Sequence, residues 1–197
     1  DHGSPLAIES FEWADDRAWA AQCVERNGKF YWYVCLHSKL SNAMAIGVAV
    51  GDSPTGPFKD AIGKPLLTTS QTQIETIDPA FFVDEDGTGY LHFGTFGTQL
   101  AIKMKKDATT GRTSYTEVET KADGTTPNLH TMKDADSNAN GPKGFFEAAW
   151  VFRKGDTTCT TAVSPVRARP PAWNRTIKLA SSTPLPTARS AHGSTKA

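Results

Sequence analysis

Three turn signals at a near-regular spacing constrain this chain more than any other feature. They are Asn27-Gly28, Asp86-Gly87 and Gly155-Asp156, 59 and 69 residues apart. Asn-Gly favours a two-residue hairpin because both residues tolerate positive φ. Residues 28–36 form an aromatic and β-branched run just after the first turn, and residues 19–26 supply its partner strand. A strand is predicted from Met44 to Val50. There Met44, Ile46, Val48 and Val50 share one face and the small Ala45, Gly47 and Ala49 the other, so that another sheet can approach closely. A second hairpin is predicted over residues 80–83 and 89–95, and a third begins at residues 148–153. No pattern supports a helix of ten or more residues. Residues 105–143 are polar and rich in Gly, Asp and Thr, and read mostly as loop with one or two edge strands. A recurring hairpin unit of this length predicts the blades of a β-propeller, with loops inserted between strands.

Composition narrows the function classes. The 197 residues contain 21 Lys+Arg and 21 Asp+Glu, so no net charge invites nucleic acid or an anionic membrane. No apolar run reaches the 18 or so residues of a membrane span. No apolar block follows a basic start, so no secretory leader is visible in this stretch. Three cysteines without a C-x-x-C pair exclude a dense disulfide framework and a zinc ribbon. The neutral total hides a split. All the acidic residues precede Thr157, while Arg167, Arg169, Arg175, Lys178, Arg189 and Lys196 follow it among five prolines. Two regions are therefore expected: a folded β-rich body over 1–156 and a basic Pro/Ser/Thr-rich tail over 157–197, poorly ordered rather than a polyanion-binding arm.

Eight residues before the three turns stand Trp19, Asp78 and Glu147. If that position begins the innermost strand of each unit, the three side chains meet at one mouth of the central channel. Two converging carboxyls beside an aromatic ring suit glycoside hydrolysis. One carboxyl protonates the leaving oxygen, another group activates water, and the ring stacks on a sugar. Each residue also has a plainer reading. Asp78, before Pro79, serves equally well as a turn residue capping a strand start. Trp19 and Trp32 are of a type more often found in cores. Glu147 lies among Phe145, Phe146, Ala148, Ala149 and Trp150, where an acid without a partner or a function is rare. Burial there would favour its protonated form. Asp84-Glu85-Asp86 lacks the glycine and distal Glu of an EF-hand and reads as a solvated turn. The five histidines show no metal-binding spacing, so no metal or other cofactor is expected. The sequon Asn174-Arg-Thr176 hints at secretion.

Residues 15–22, 26–33, 45–58 and 77–87 resemble glycoside hydrolase family 43, and the resemblance extends over roughly 1–155. It is closest in character to fungal β-xylosidases and α-L-arabinofuranosidases. The segments Gly47 to Phe58 and Ile77 to Gly87 carry it most specifically. The resemblance implies an all-β, five-bladed propeller, present here only as about blades two to four. It also implies inverting hydrolysis of xylan- or arabinan-type plant cell-wall glycans by a secreted enzyme. Its partner is then an oligo- or polysaccharide, not nucleic acid or a membrane. Carried onto this chain, Glu147 takes the general-acid role and Asp78, in Ile77-Asp78-Pro79, the role of tuning and orienting that acid, while Trp19 is the candidate sugar-binding aromatic. The motif that would carry the general base, in a first blade, has no counterpart. Asp15 and Asp16 fall in the second blade and do not take that role. Ala149 stands where the family often has Pro, and the family pattern stops near Asp156. Without a base the reading falls back to a catalytically incomplete or sugar-binding propeller fragment.

Overall fold

The structure is a computed structural model that describes residues 3–131, 145–155, 157–163 and 177–178. Its strands form three antiparallel sheets. The first contains β1 (Ala14–Arg26), β2 (Lys29–Ser38), β3 (Ala43–Gly51) and β4 (Lys59–Asp60) in that order, with β5 (Leu67–Thr68) also on β3. The second contains β6 (Ala80–Val83), β7 (Gly89–Phe93), β8 (Leu100–Lys106), β9 (Thr113–Val118) and β10 (Leu129–Thr131), with β9 and β10 both on β8. The third is β11 (Glu147–Lys154), β12 (Thr157–Val163) and β13 (Ile177–Lys178). Strand β6 touches both β1 and β11, so the three sheets are consecutive blades of an open propeller with these strands innermost.

The turns behave as their residues dictate. Asn27 and Gly28 both have positive φ, 55° and 73°, and join Arg26 to its partner Lys29. At the second turn the Gly87 N–H donates to the Asp84 carbonyl at 2.9 Å. The described part of residues 105–143 holds the two strands expected there. β8 runs to Lys106, and β9 and β10 both lie in this stretch, because Thr, Tyr and Val residues offset its polar composition. The expected body–tail boundary falls at the tip of the third hairpin. Seven residues of the tail return as β12, a Thr-rich run of high strand propensity that pairs with β11 from Lys154–Thr157 to Glu147–Val163. The rest of the basic tail apart from β13, including the Asn174 sequon, lies outside the described residues.

Alternation along β2 and β3 splits the core in two. Tyr33, Cys35, Met44, Ile46 and Val48 face the second blade and pack with Phe81, Leu91, Phe93 and Ile102. Tyr33 and Phe81 stack across the seam, centroids 5.0 Å apart. On the other face lie Val34, Leu36, Ala45 and Ala49 with Phe11 and Trp13. The small face of β3 therefore admits two rings from the N-terminal segment, not another sheet. A Cβ on Gly47 would sit 2.9 Å from the Trp13 ring. Trp32 belongs to this cluster, against Phe58.

Polar side chains complete the blade seams. Gln22 on β1 is buried, and its amide both accepts from the Phe81 N–H and donates to the Phe81 carbonyl, standing in for a strand pair between blades. Gln22→Leu strands both backbone groups, and we expect a loss of about 1–3 kcal/mol, measured as a drop in urea midpoint. Arg153 on β11 reaches Asp84 at 2.8 Å and Glu85 at 2.9 Å. Part of the acidic turn thus holds the third blade to the second.

His92 on β7 is fully buried, which pushes its pKa down to about 4. Gln99 lies 3.4 Å from its Nδ1. The folded state keeps this ring neutral where the unfolded chain protonates it, so its contribution is intact above the ordinary value of about 6.5 and is lost as pH falls toward 4. In His92→Gln the fall in urea midpoint between pH 7 and pH 4.5 is expected to be smaller than in the parent.

Candidate active site

The innermost strands bring the three singled-out residues to one region, each at a backbone irregularity. Trp19 lies on β1 between two register shifts against β2, at Asp16/Trp19 and Trp19/Gln22. Asp78 stands two residues before β6. Glu147 opens β11, which is irregular between Glu147 and Trp150. Asp78 and Ala148 both hold left-handed backbone, φ 57° and 56°, which non-glycine residues adopt only when their surroundings enforce it.

The enforcement at Ala148 is visible. Asp78 Oδ2 accepts a hydrogen bond from the Ala148 N–H at 2.8 Å. The carboxylate of one blade thereby pins the bulge that aims Glu147 from the next. Burial pushes the Asp78 carboxyl above the usual range, the Ala148 N–H pulls it back, and the charges of Glu147 and Glu75 push it up again. Glu147 is half-buried, and its Oε2 accepts from the Thr95 hydroxyl at 3.2 Å.

Under the site lies Cys35. Its thiol donates to the Trp19 carbonyl at 3.1 Å, where β1 has bulged out of register. Burial pushes this thiol up to about 11, with Asp78 next to it. It is therefore a packing and hydrogen-bonding group, not a nucleophile. Trp19 leaves half of its surface in solvent, at 50% exposure, so its indole is open to a ligand.

The sequence alone singled out neither Thr95 nor Cys35. Thr95 had a signal: Gly94 and Gly97 bracket Thr95-Phe96 just after a strand, which marks a tight turn able to aim a side chain. Cys35 had none, since it reads as one more apolar position on β2.

Among the described residues, the side chains close enough to share a cation are Asp15, Asp16 and His37. Asp15 accepts from or pairs with His37 Nδ1 at 2.7 Å, and Asp16 lies 3.8 Å from the same atom. The hydrogen bond to His37 holds the Asp15 carboxyl below the usual range. Both acids are exposed on β1 in the first described blade.

Comparison with known proteins bears on this geometry. The profile of Glycosyl hydrolases family 43 matches residues 3–164. Xylosidase/arabinosidase 43A of Humicola insolens is 38% identical over 106 residues, 53% of this chain and 30% of that protein. A beta-xylosidase of Xylanibacter ruminicola is 29% identical over 170 residues, 78% of this chain and 51% of that protein. The solved structure of a β-xylosidase/α-arabinofuranosidase from a compost microbial metagenome, in complex with xylotriose, superposes with a TM-score of 0.56 at 26% identity. That alignment covers 82% of this chain and 54% of the other. The chain thus spans about half the length of these relatives, or less. The three sheets are accordingly part of a five-bladed propeller, and with the profile covering most of its length the chain belongs to glycosyl hydrolase family 43.

Proposed function

We propose that the intact protein is an inverting glycosidase of xylosidase/arabinofuranosidase type, acting on xylan- or arabinan-derived glycans, and that this chain carries its acid side. The observation that carries this reading is the Asp78–Ala148 hydrogen bond, which locks two carboxyl-bearing blades together beside Glu147. In this reading Glu147 gives its proton to the leaving glycosidic oxygen. Asp78 orients Glu147 through the backbone, and its charge favours the proton staying there until transfer. Trp19 offers a face to the sugar. An inverting reaction needs a second carboxylate about 6.5–9.5 Å from the acid, with water between them. That base is expected from a first-blade strand outside the matched stretch. The Humicola insolens relative supports a kinship with fungal enzymes of this type. A polymeric cell-wall substrate supports a secreted location. Among the described residues no helix is long and apolar enough to cross a membrane.

Because the resemblance assigns no residue of this stretch the role of base, a second reading is that this chain by itself binds pentose glycans without cleaving them. Incubation with p-nitrophenyl β-D-xylopyranoside and α-L-arabinofuranoside separates the two. Release of xylose or arabinose supports the hydrolase. Binding of xylotriose without turnover supports the binding module, and the absence of both binding and turnover overturns the carbohydrate assignment.

A further inference from the structure

The loop that aims Thr95 also does something that positioning of Glu147 does not require. It joins β7 to β8 and contains Gly94-Thr95-Phe96-Gly97. Thr95 points inward and is 3% exposed; Phe96 points outward and is 71% exposed. Phe96 holds left-handed backbone, φ 51°, an outlier for an aromatic residue. The loop is tightly fixed in this shape. Gly94 has φ 128°, and a Cβ there would lie 2.2 Å from the Thr98 carbonyl oxygen. The Thr98 N–H closes the turn on the Thr95 carbonyl at 3.0 Å, and the Gly97 N–H donates to the Phe146 carbonyl at 3.3 Å. The Phe96 ring stands edge-to-face to Phe146, centroids 5.7 Å apart and planes at 82°. Phe146 immediately precedes Glu147.

A strained backbone that presents a large apolar ring to water gains nothing for the core. Such outliers persist where a function uses them. Here the ring is one residue from the hydroxyl that binds Glu147, and its aromatic partner is one residue from Glu147 itself. An acid that protonates the leaving oxygen lies on the leaving-group side of the bond, with the base across the ring. Side chains lying beside it on that side can then meet the part of the glycan that departs. A xylopyranose ring carries C–H groups on its faces and lacks the hydroxymethyl arm of a hexopyranose, so it lies flat on an aromatic surface.

We propose that Phe96 and Phe146 form an aromatic platform that binds the leaving-group-side sugar unit of a pentose oligosaccharide next to Glu147. This rests on the carbohydrate reading of the site and adds a subsite to it. The full chain is titrated by calorimetry with xylotriose and arabinotriose, with methyl β-D-xylopyranoside as the single-unit control. Phe96→Ala is expected to weaken the favoured trisaccharide by about 3- to 10-fold, while Phe96→Trp preserves binding and single-unit binding is unchanged in both. Phe96→Gly removes the ring and relieves the backbone, so it loses the same affinity with an unchanged or higher melting temperature. That result separates a lost platform from a damaged fold. If the parent binds a trisaccharide and Phe96→Ala binds it equally well, the platform is wrong while the carbohydrate reading stands. If the parent binds neither trisaccharide, the carbohydrate reading fails and the platform with it.

Discussion

If Glu147 is the acid, Glu147→Gln is expected to lower turnover of pentosides with poor leaving groups by about 100- to 10,000-fold, the usual share of general acid catalysis. The variant isolates proton donation from shape. Its amide oxygen still accepts from the Thr95 hydroxyl, as Oε2 does at 3.2 Å, and its volume is nearly that of Glu. What it lacks is a proton to give to the departing oxygen. The loss therefore depends on the leaving group. A 2,4-dinitrophenyl pentoside leaves without protonation and keeps most of its rate, whereas an alkyl or oligosaccharide leaving group shows the full effect. Measuring kcat/KM across a series of aryl pentosides reads this as a steeper dependence on leaving-group acidity. Equal turnover by parent and variant on the poorest leaving group removes Glu147 from the acid role. Because the base is expected from another blade, these assays are best run on the protein that includes it, with the chain alone as the comparison.

The hairpins were legible because their chemistry is local. Asn27-Gly28 accepts two successive positive φ values, and alternation along β2 assigns Tyr33 and Cys35 to one face and Val34 and Leu36 to the other. The repeat of Trp19, Asp78 and Glu147 eight residues before each turn predicts that each begins an innermost strand; Glu147 does open β11, whereas Trp19 lies within β1 and Asp78 two residues before β6. The contacts that make these positions a site were not legible, because they are long-range. The Asp78–Ala148 bond spans 70 residues and the Thr95–Glu147 bond 52. Neither partner of such a bond announces the other in sequence. The same holds for Gln22, which sequence places on a strand without indicating that its amide completes the seam to Phe81. β12 was missed for a different reason. Basic and proline-rich residues beyond it dominate the composition of the tail and hide seven residues of strand.

Two substitutions at Asp78 separate its two jobs. Asp78→Asn retains an oxygen that can accept from the Ala148 N–H, so the bulge that aims Glu147 is kept, but the negative charge is gone. Asp78→Ala loses both, and leaves the Ala148 N–H without its partner, at about 1–3 kcal/mol of stability. The charge has an opposite effect on the fold. Burial, and the repulsion of Glu147 and Glu75, raise the Asp78 carboxyl above its ordinary value despite the Ala148 bond. The folded state then holds this proton more tightly than the unfolded chain does. Its contribution is fully present below the ordinary value of about 3.9 and is lost as pH rises through the raised folded value. A neutral Asn escapes that loss, so Asp78→Asn is expected to have a higher urea midpoint than the parent at pH 7, with the gap closing toward pH 4. Catalysis goes the other way. In the proposed mechanism the Asp78 charge acts on Glu147, so removing it is expected to slow the reaction, and without the hydrogen bond Glu147 also loses its aim, a displacement worth about 100-fold. Asp78→Asn is therefore expected to be stable and slow, and Asp78→Ala unstable and slower. An Asp78→Asn variant as active as the parent would show that the charge beside Glu147 has no part in the reaction and that Asp78 serves the backbone alone.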